Sequence, residues 1–470
     1  MKPKSLILSG LALALLAVTV WRTTPSVESQ APAGNPAARF AFLDSADINS
    51  IPSNWTGPKF QLSHNYPKVK PKCEAPWLKR QVDFTNKNSK WSDWQGYVQD
   101  IINYVKEGQD LNMPDNIGWR SDVGGQTRWY HIPWMAYDTH GGREFVHGLT
   151  NELSTALNTF LNESVGTRSS GKNVLAGAKQ VNGANPLFET WSVGMYNPCG
   201  AWSVGQTFPP TGAGAGAPAT FTQNGRLLAR GLPFTEGTVV MKLLNTTADA
   251  AFVPYLKNST SWQANGHQKL AAIPTKGTDY TYYDRAITTV HLIQVDLAVI
   301  DPRSPTRWVY STLGYDGTLP GATVWDRLVP LGIEWGSDPG TFPAVPQNQS
   351  SPPWQSILAP INLPEHYGCM KRLAGVVDNP ASSCVSCHMG AYAAAPGVLS
   401  QQGKNIPPIF VPTSTCANYS PASAAYFSNY KFPLPYPGST SPIKDAIPLD
   451  SSLQLQVAFA QYAKFMNGQQ

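Results

Sequence analysis

Cys384, Cys387 and His388, in the run NPASSCVSCHMG (379–390), are the residues whose types and spacing could do chemistry. Two cysteines three positions apart project their sulfurs to one side of a tight turn. The next residue then brings an imidazole beneath them. Cys-x-x-Cys-His is the signature for covalent attachment of a c-type haem. The sulfurs of Cys384 and Cys387 would join the two vinyl groups of one porphyrin as thioethers, and His388 would bind the iron as axial ligand. With 6 Cys and 8 His in 470 residues, a chance match is expected about 10⁻³ times. Two other chemistries use the same atoms. Zinc would take Cys384, Cys387 and His388 with Cys369 or Cys416 as the fourth ligand. A redox pair would cycle Cys384 and Cys387 between thiols and disulfide, but no thioredoxin-like βαβ pattern surrounds the run. Haem is the expectation.

The sixth iron ligand separates an electron carrier from a reactive site. A Met ligand raises the potential and suits electron transfer; an open position suits small-molecule binding or oxidation. Met389 is excluded because it adjoins His388, and Met466 reads as a residue of the terminal helix. Upstream stand His131, His140, His147, Met195, Met241, Lys242, His291 and Met370. The distal candidates kept are Lys242, Met241, His147 and Met370. Each also has a plain structural reading: His147 lies one helical turn from Arg143, and His131 with Trp134 in WYHIPW reads as a packed aromatic turn. The catalytic residues, if there are any, stay unidentified at this stage.

Elements must hold this run in place, and the composition allows them. Hydrophobic content of 42% with 15 Trp supports a packed core and excludes global disorder. Charged residues are 14%, well under the roughly 25% of average soluble proteins. The net charge is +5; Lys2, Lys4 and Arg22 against Glu28 place +2 of it in the first 30 residues and leave +3. That excludes a nucleic-acid footprint. Lys2 and Lys4 precede SLILSGLALALLAVTVW (5–21), the pattern of an export signal. The run is long for a cleaved signal and short for a spanning helix, so a cleaved signal and an uncleaved membrane anchor both stay open. Asn-x-Ser/Thr triplets such as Asn54-Trp55-Thr56 would suit a eukaryotic secretory protein. Covalent haem c belongs with the bacterial periplasm, so we read the triplets as incidental. Cys73, Cys199, Cys369 and Cys416 allow three pairings, and the sequence does not choose among them.

The periodicities give an α+β protein: an antiparallel β-sheet core with packed helices and long Pro-rich loops, and haem attached near the C-terminus. Trp94, Tyr97, Val98, Ile101, Ile102 and Val105 share one helical face behind the capping spacing Ser92–Gln95. A second helix is expected from Glu144 to Leu161 on its Leu repeat. Strands are expected at 238–244, 291–300, 307–313 and 328–335, with 291–300 and 307–313 joined as a hairpin. Residues 1–30 form the signal or anchor and 31–60 a flexible tether. Residues 61–470 form one haem-binding domain, with helices at about 90–165, a sheet at about 186–335, the haem segment at about 365–395 and a C-terminal helix at about 451–467. Residues 336–383 are expected to hold little regular structure.

The chain resembles an uncharacterised bacterial family of exported single-haem proteins. The resemblance rests on WYHIPW–GREFVHGLT (129–150), MYNPCGAWSVGQTF (195–208), EGTVVMKLLNTT (236–247), LIQVDLAVIDPR (292–303), GIEWGSDP (332–339), SSCVSCH (382–388) and LDSSLQLQVAFAQY (449–462). Part of it is similar to the cytochrome P-460 and cytochrome c′-beta family: a Gly-Thr-Val-Val-x-Lys strand, a second strand with a Trp partner, then Cys-x-x-Cys-His. That resemblance implies an antiparallel sheet packed by helices and a haem with an open distal side. In the P-460 type a lysine is crosslinked to the porphyrin and hydroxylamine is oxidised; Lys242 in GTVVMKLL is the matching lysine. The sequence departs at Phe234-Thr235-Glu236, where the family has Tyr-Pro-Asp. The expectation is a periplasmic c-type cytochrome with one haem c, acting in electron transfer with a redox partner protein or a small-molecule electron donor. The alternatives are a haem enzyme or gas-binding protein of P-460 type, and a structural zinc protein.

Overall fold

Runs of β-branched and aromatic residues dominate the middle of the chain, and they assemble into one antiparallel sheet. The computed structural model describes residues 63, 65–107, 109, 122–123, 125–132, 149–151, 190–208, 222–223, 226–227, 234–251, 253–267, 285–336, 355–361, 363, 368, 372–378, 382–389, 391–393 and 447–466. In chain order the strands are β1 (Leu149–Asn151), β2 (Thr190–Tyr196), β3 (Val239–Thr246), β4 (Ser261–His267), β5 (Arg285–Ile300), β6 (Trp308–Tyr315), β7 (Leu328–Glu334) and β8 (Ser356–Leu358). They lie in the order β8-β7-β6-β5-β3-β2-β1, and β4 pairs with β5 off that path. The expected hairpin is present: β5 and β6 pair with Ile300 opposite Trp308. Asp301 closes its turn, with its N–H donating to the Arg307 carbonyl at 2.8 Å.

Successive residues of a strand point to opposite faces, so the register assigns every side chain to a side. Met195, Met241, Leu297, Ser311 and Ile333 are neighbours across four strand pairs and share one buried face. Helix α1 (Trp91–Lys106) packs there. The Trp94 ring stacks on Trp335 at 4.1 Å, and Phe84 meets both edge-on. The helical face expected from the sequence is the buried one, and each such side chain contributes about 1.5–3 kcal/mol. The helix begins earlier than the Ser92 spacing implied. Its first turn is closed by the Lys90 N–H donating to Asp93 Oδ2 at 2.8 Å.

The other face is polar. Gly194, Lys242, Asp296, Thr312, Gly332 and Leu358 form one row across it. Short helix α3 (Cys384–His388) and helix α4 (Leu453–Met466) cover this side. Helix α2 (Pro198–Thr207) follows β2, capped by Asn197, whose side chain accepts from Gly200 N and Val239 N at 3.0 Å each. Cys199 on this helix is disulfide-bonded to Cys73, which selects one partner pair from the pairings left open; Cys369 and Cys416 lie outside the described residues.

Two sequence expectations need correction. Leu149–Asn151, expected inside a helix, form edge strand β1 opposite Trp191–Val193. Pairing with an existing sheet edge outweighs a fourfold Leu spacing that carries no cap at that point. The sheet is also wider than 186–335, because β8 arises within the stretch expected to be irregular and pairs with Gly332–Glu334. Among the described residues no helix is long and apolar enough to cross a membrane; residues 5–21 lie outside them.

Candidate functional site

The Cys-x-x-Cys-His run folds as the single turn α3, seated on the polar face of the sheet. Ser383 caps it, accepting from Ser386 N at 3.2 Å. The Cys384 N–H donates to the Leu373 carbonyl at 3.0 Å, and Leu373 N donates to Ser356 Oγ of β8 at 2.7 Å. Val385 N donates to the Glu334 carboxylate of β7 at 3.2 Å, which meets one of the unpaired N–H groups at the start of the turn. Neither Cys384 nor Cys387 is in a disulfide, and both residues are partly buried.

His388 is held from two sides. Its ring lies over Tyr310 of β6 with centroids 4.8 Å apart. Its Nδ1 is 2.9 Å from the Ser451 carbonyl. A carbonyl only accepts, so Nδ1 carries the proton, and in the neutral ring the lone pair sits on Nε2. Such a bond fixes the ring and tautomer of a metal-binding histidine. Asp450 and Ser451, at φ 47° and 63°, form the strained turn that aims this carbonyl. Buried Asp450 anchors the turn by accepting from Phe234 N and, at 3.3 Å, from Trp308 Nε1. Burial pushes the Asp450 carboxyl up to about 6, against the opposing pull of Arg307.

Cys384 faces a carboxylate cluster. Thr312 donates from Oγ1 to Asp296 Oδ1 at 3.0 Å, and Gln294 Nε2 donates to the same oxygen at 2.7 Å. Gln294 Nε2 also reaches Asp378 Oδ2 at 3.1 Å, while Val377 N donates to Gln294 Oε1 at 3.0 Å. Burial, then the negative charge of Asp378, pushes the Asp296 carboxyl up to about 8, and Lys242 pulls the other way. Burial, then Asp378, Glu334 and Asp296, raises the Cys384 thiol well above its ordinary value. This setting favours an uncharged sulfur. A haem thioether is uncharged, whereas a zinc ligand must be a thiolate. The setting is compatible with the uncharged thioether that haem attachment would make at Cys384. Among the described residues no group of three His, Cys, Asp or Glu side chains is arranged to hold a metal ion.

The distal candidates separate by strand parity. Lys242 shares the face of Asp296 and Thr312. Met241, one residue earlier, is buried on the α1 face opposite Met195, so the sheet lies between it and α3. His291 is five residues along β5 from Asp296, with Nδ1 2.9 Å from Ser259 Oγ, and burial lowers its pKa. His131 is buried, with its N–H donating to the Ser63 carbonyl at 3.1 Å. His140, His147 and Met370 lie outside the described residues.

Sequence reasoning passed over Gln294, Asp296, Tyr310, Glu334, Asp450 and Ser451. The polar members of HLIQVDLAVI were a usable signal, being residues on the face that apolar alternation leaves over. Comparison with protein-family models, with curated proteins and with solved structures returns no match.

Proposed function

We propose that this chain is an exported c-type cytochrome with one haem, acting in electron transfer. Cys384 and Cys387 would form the thioethers and His388 would be the axial ligand. The observation that carries the reading is the His388 arrangement: an imidazole at the end of a Cys-x-x-Cys turn, with Nδ1 bonded to the Ser451 carbonyl at 2.9 Å and Nε2 left as the lone-pair atom. Haem supplies a one-electron couple at its iron. The chain's part is to orient the imidazole, to keep the Cys384 sulfur in an uncharged setting, and to close the polar face of the sheet over the site. The basic, apolar N-terminal segment supports export to the periplasm, as a soluble or membrane-tethered protein.

Expression in a strain equipped for haem ligation tests this. We expect a red protein whose mass exceeds that of the polypeptide by one haem, and a Cys384→Ala/Cys387→Ala variant without the covalent adduct. A colourless product would sink the proposal.

A second reading has its own support. Lys242 and Asp296 lie on the face that α3 covers, where a reactive haem of the P-460 type would have an amine and a carboxyl at hand. A high-spin spectrum that shifts with carbon monoxide or nitric oxide would favour it; a low-spin spectrum indifferent to both would favour the electron carrier.

A further inference from the structure

An aromatic row leads away from His388. Its ring is 4.8 Å from Tyr310, Tyr310 stacks on Trp308 at 6.2 Å, Trp308 meets Phe234 edge-on at 5.5 Å, and Phe234 stacks on Tyr196 at 5.5 Å. All four aromatic residues beyond the histidine are buried. Tyr196 exchanges two backbone hydrogen bonds of 2.9 Å with Tyr130, and the Tyr130 ring lies 6.2 Å from Tyr66. Tyr66 stands two residues before the exposed Lys68.

Packing alone accounts for neighbouring rings, which prefer these separations. One member of the row also has a carboxylate at its ring nitrogen. Oxidised indole and phenol are strong acids, so a side chain that gives up an electron needs somewhere to send its proton. Trp308 Nε1 donates to the Asp450 carboxylate at 3.3 Å, and Tyr196 Oη shares a 2.9 Å hydrogen bond with Ser452 Oγ in which either oxygen can donate. Both partners belong to the turn whose Ser451 carbonyl holds His388. One four-residue turn thus serves the imidazole and the row together.

We propose that Tyr196, Phe234, Trp308 and Tyr310 form an electron relay to the site at His388. The relay rests on the haem reading above, in the form whose distal side is open to a small molecule. Its step balances with hydrogen peroxide as the oxidant, which takes up two electrons, and two protons drawn from solvent, to give two waters. One electron comes from the iron. The other leaves the Trp308 indole and crosses Tyr310, while the Nε1 proton passes to the Asp450 carboxylate. Trp308 is left as a neutral radical. Two external one-electron reductants complete the cycle, one restoring the iron and one returning the electron along the row to Trp308 as Asp450 returns the proton.

The test uses the haem-loaded protein, verified by its Soret band, mixed with hydrogen peroxide and frozen for electron paramagnetic resonance. We expect an organic radical signal in the wild type. It should fall at least tenfold in Trp308→Phe and in Tyr310→Phe, and persist in Trp94→Phe, which alters the opposite face of the sheet. Tyr310→Phe keeps the ring and decides the matter if Trp308→Phe does not fold. A coloured wild type with no radical, or a radical of unchanged size in Tyr310→Phe, overturns the relay alone. A colourless wild type overturns the haem reading and the relay together.

Discussion

Asp450 and Ser451 occupy left-handed backbone, at φ 47° and 63°, where an L side chain costs about 1–2 kcal/mol. The turn survives because Asp450 accepts from Phe234 N and Trp308 Nε1 and Ser452 caps α4 through Leu455 N at 3.2 Å. A β-branched residue tolerates this region worst. Ser451→Val should therefore lower the stability by about 1–3 kcal/mol in chemical denaturation, while Ser451→Gly should leave it nearly unchanged. Asp296 makes a different prediction. Its folded pKa, raised to about 8 from 3.8, means the native state holds a proton that the unfolded chain releases. Stability from this group is complete below about pH 4 and is lost as pH rises toward 8. Asp296→Asn keeps the neutral form at every pH, so its denaturation midpoint should fall less than that of the wild type across pH 4–8. An identical decline in both proteins would refute the assignment.

At the scale of elements, the site depends on segments pressed closely onto the sheet. A Cβ on Gly368 would lie 2.0 Å from the carbonyl oxygen of Ser382, immediately before the Ser383 cap of α3. That neighbour is backbone and cannot swing aside. Gly368→Ala should cost about 1–3 kcal/mol in a thermal melt and, under the proposed haem attachment, reduce the haem bound per polypeptide, read from the Soret band. The strands explain what the sequence revealed and what it hid. In HLIQVDLAVI the apolar members Ile293, Val295, Leu297 and Val299 were readable as a core face, and all are buried. Gln294 and Asp296 looked like the solvent side that an antiparallel sheet commonly presents. They face a covered site instead, because residues 372–378 and 382–389 return over them from far along the chain. Alternation reports two faces; it does not report what lies on the second one.

At the scale of the molecule, the Cys73–Cys199 disulfide joins residues 126 positions apart. It ties the segment before α1 to the start of α2, beside the Asn197 side chain that donates to Tyr104 Oη at 2.9 Å. Closing a loop of this length stabilises by about 4–5 kcal/mol in the chain-entropy account. Dithiothreitol should lower the denaturation midpoint of the wild type and leave that of a Cys73→Ser/Cys199→Ser variant unchanged. Thioethers are carbon–sulfur bonds that a thiol does not reduce, so the proposed haem adduct should persist in both. Loss of the adduct under reduction would contradict covalent attachment through Cys384 and Cys387.

Local chemistry was written in adjacent residues: the Cys-x-x-Cys-His spacing, the amphipathic face of α1 and the β5–β6 hairpin each lie within one short stretch. Such features need only the geometry of a turn, a helix or a strand. The pairing of Cys73 with Cys199, the acceptor for His388, the carboxylates around Cys384 and the aromatic row join residues separated by tens to hundreds of positions. Chain folding alone brings them together, because pairing β6 with β5 and closing the 449–452 turn over them fix which side chains share a face.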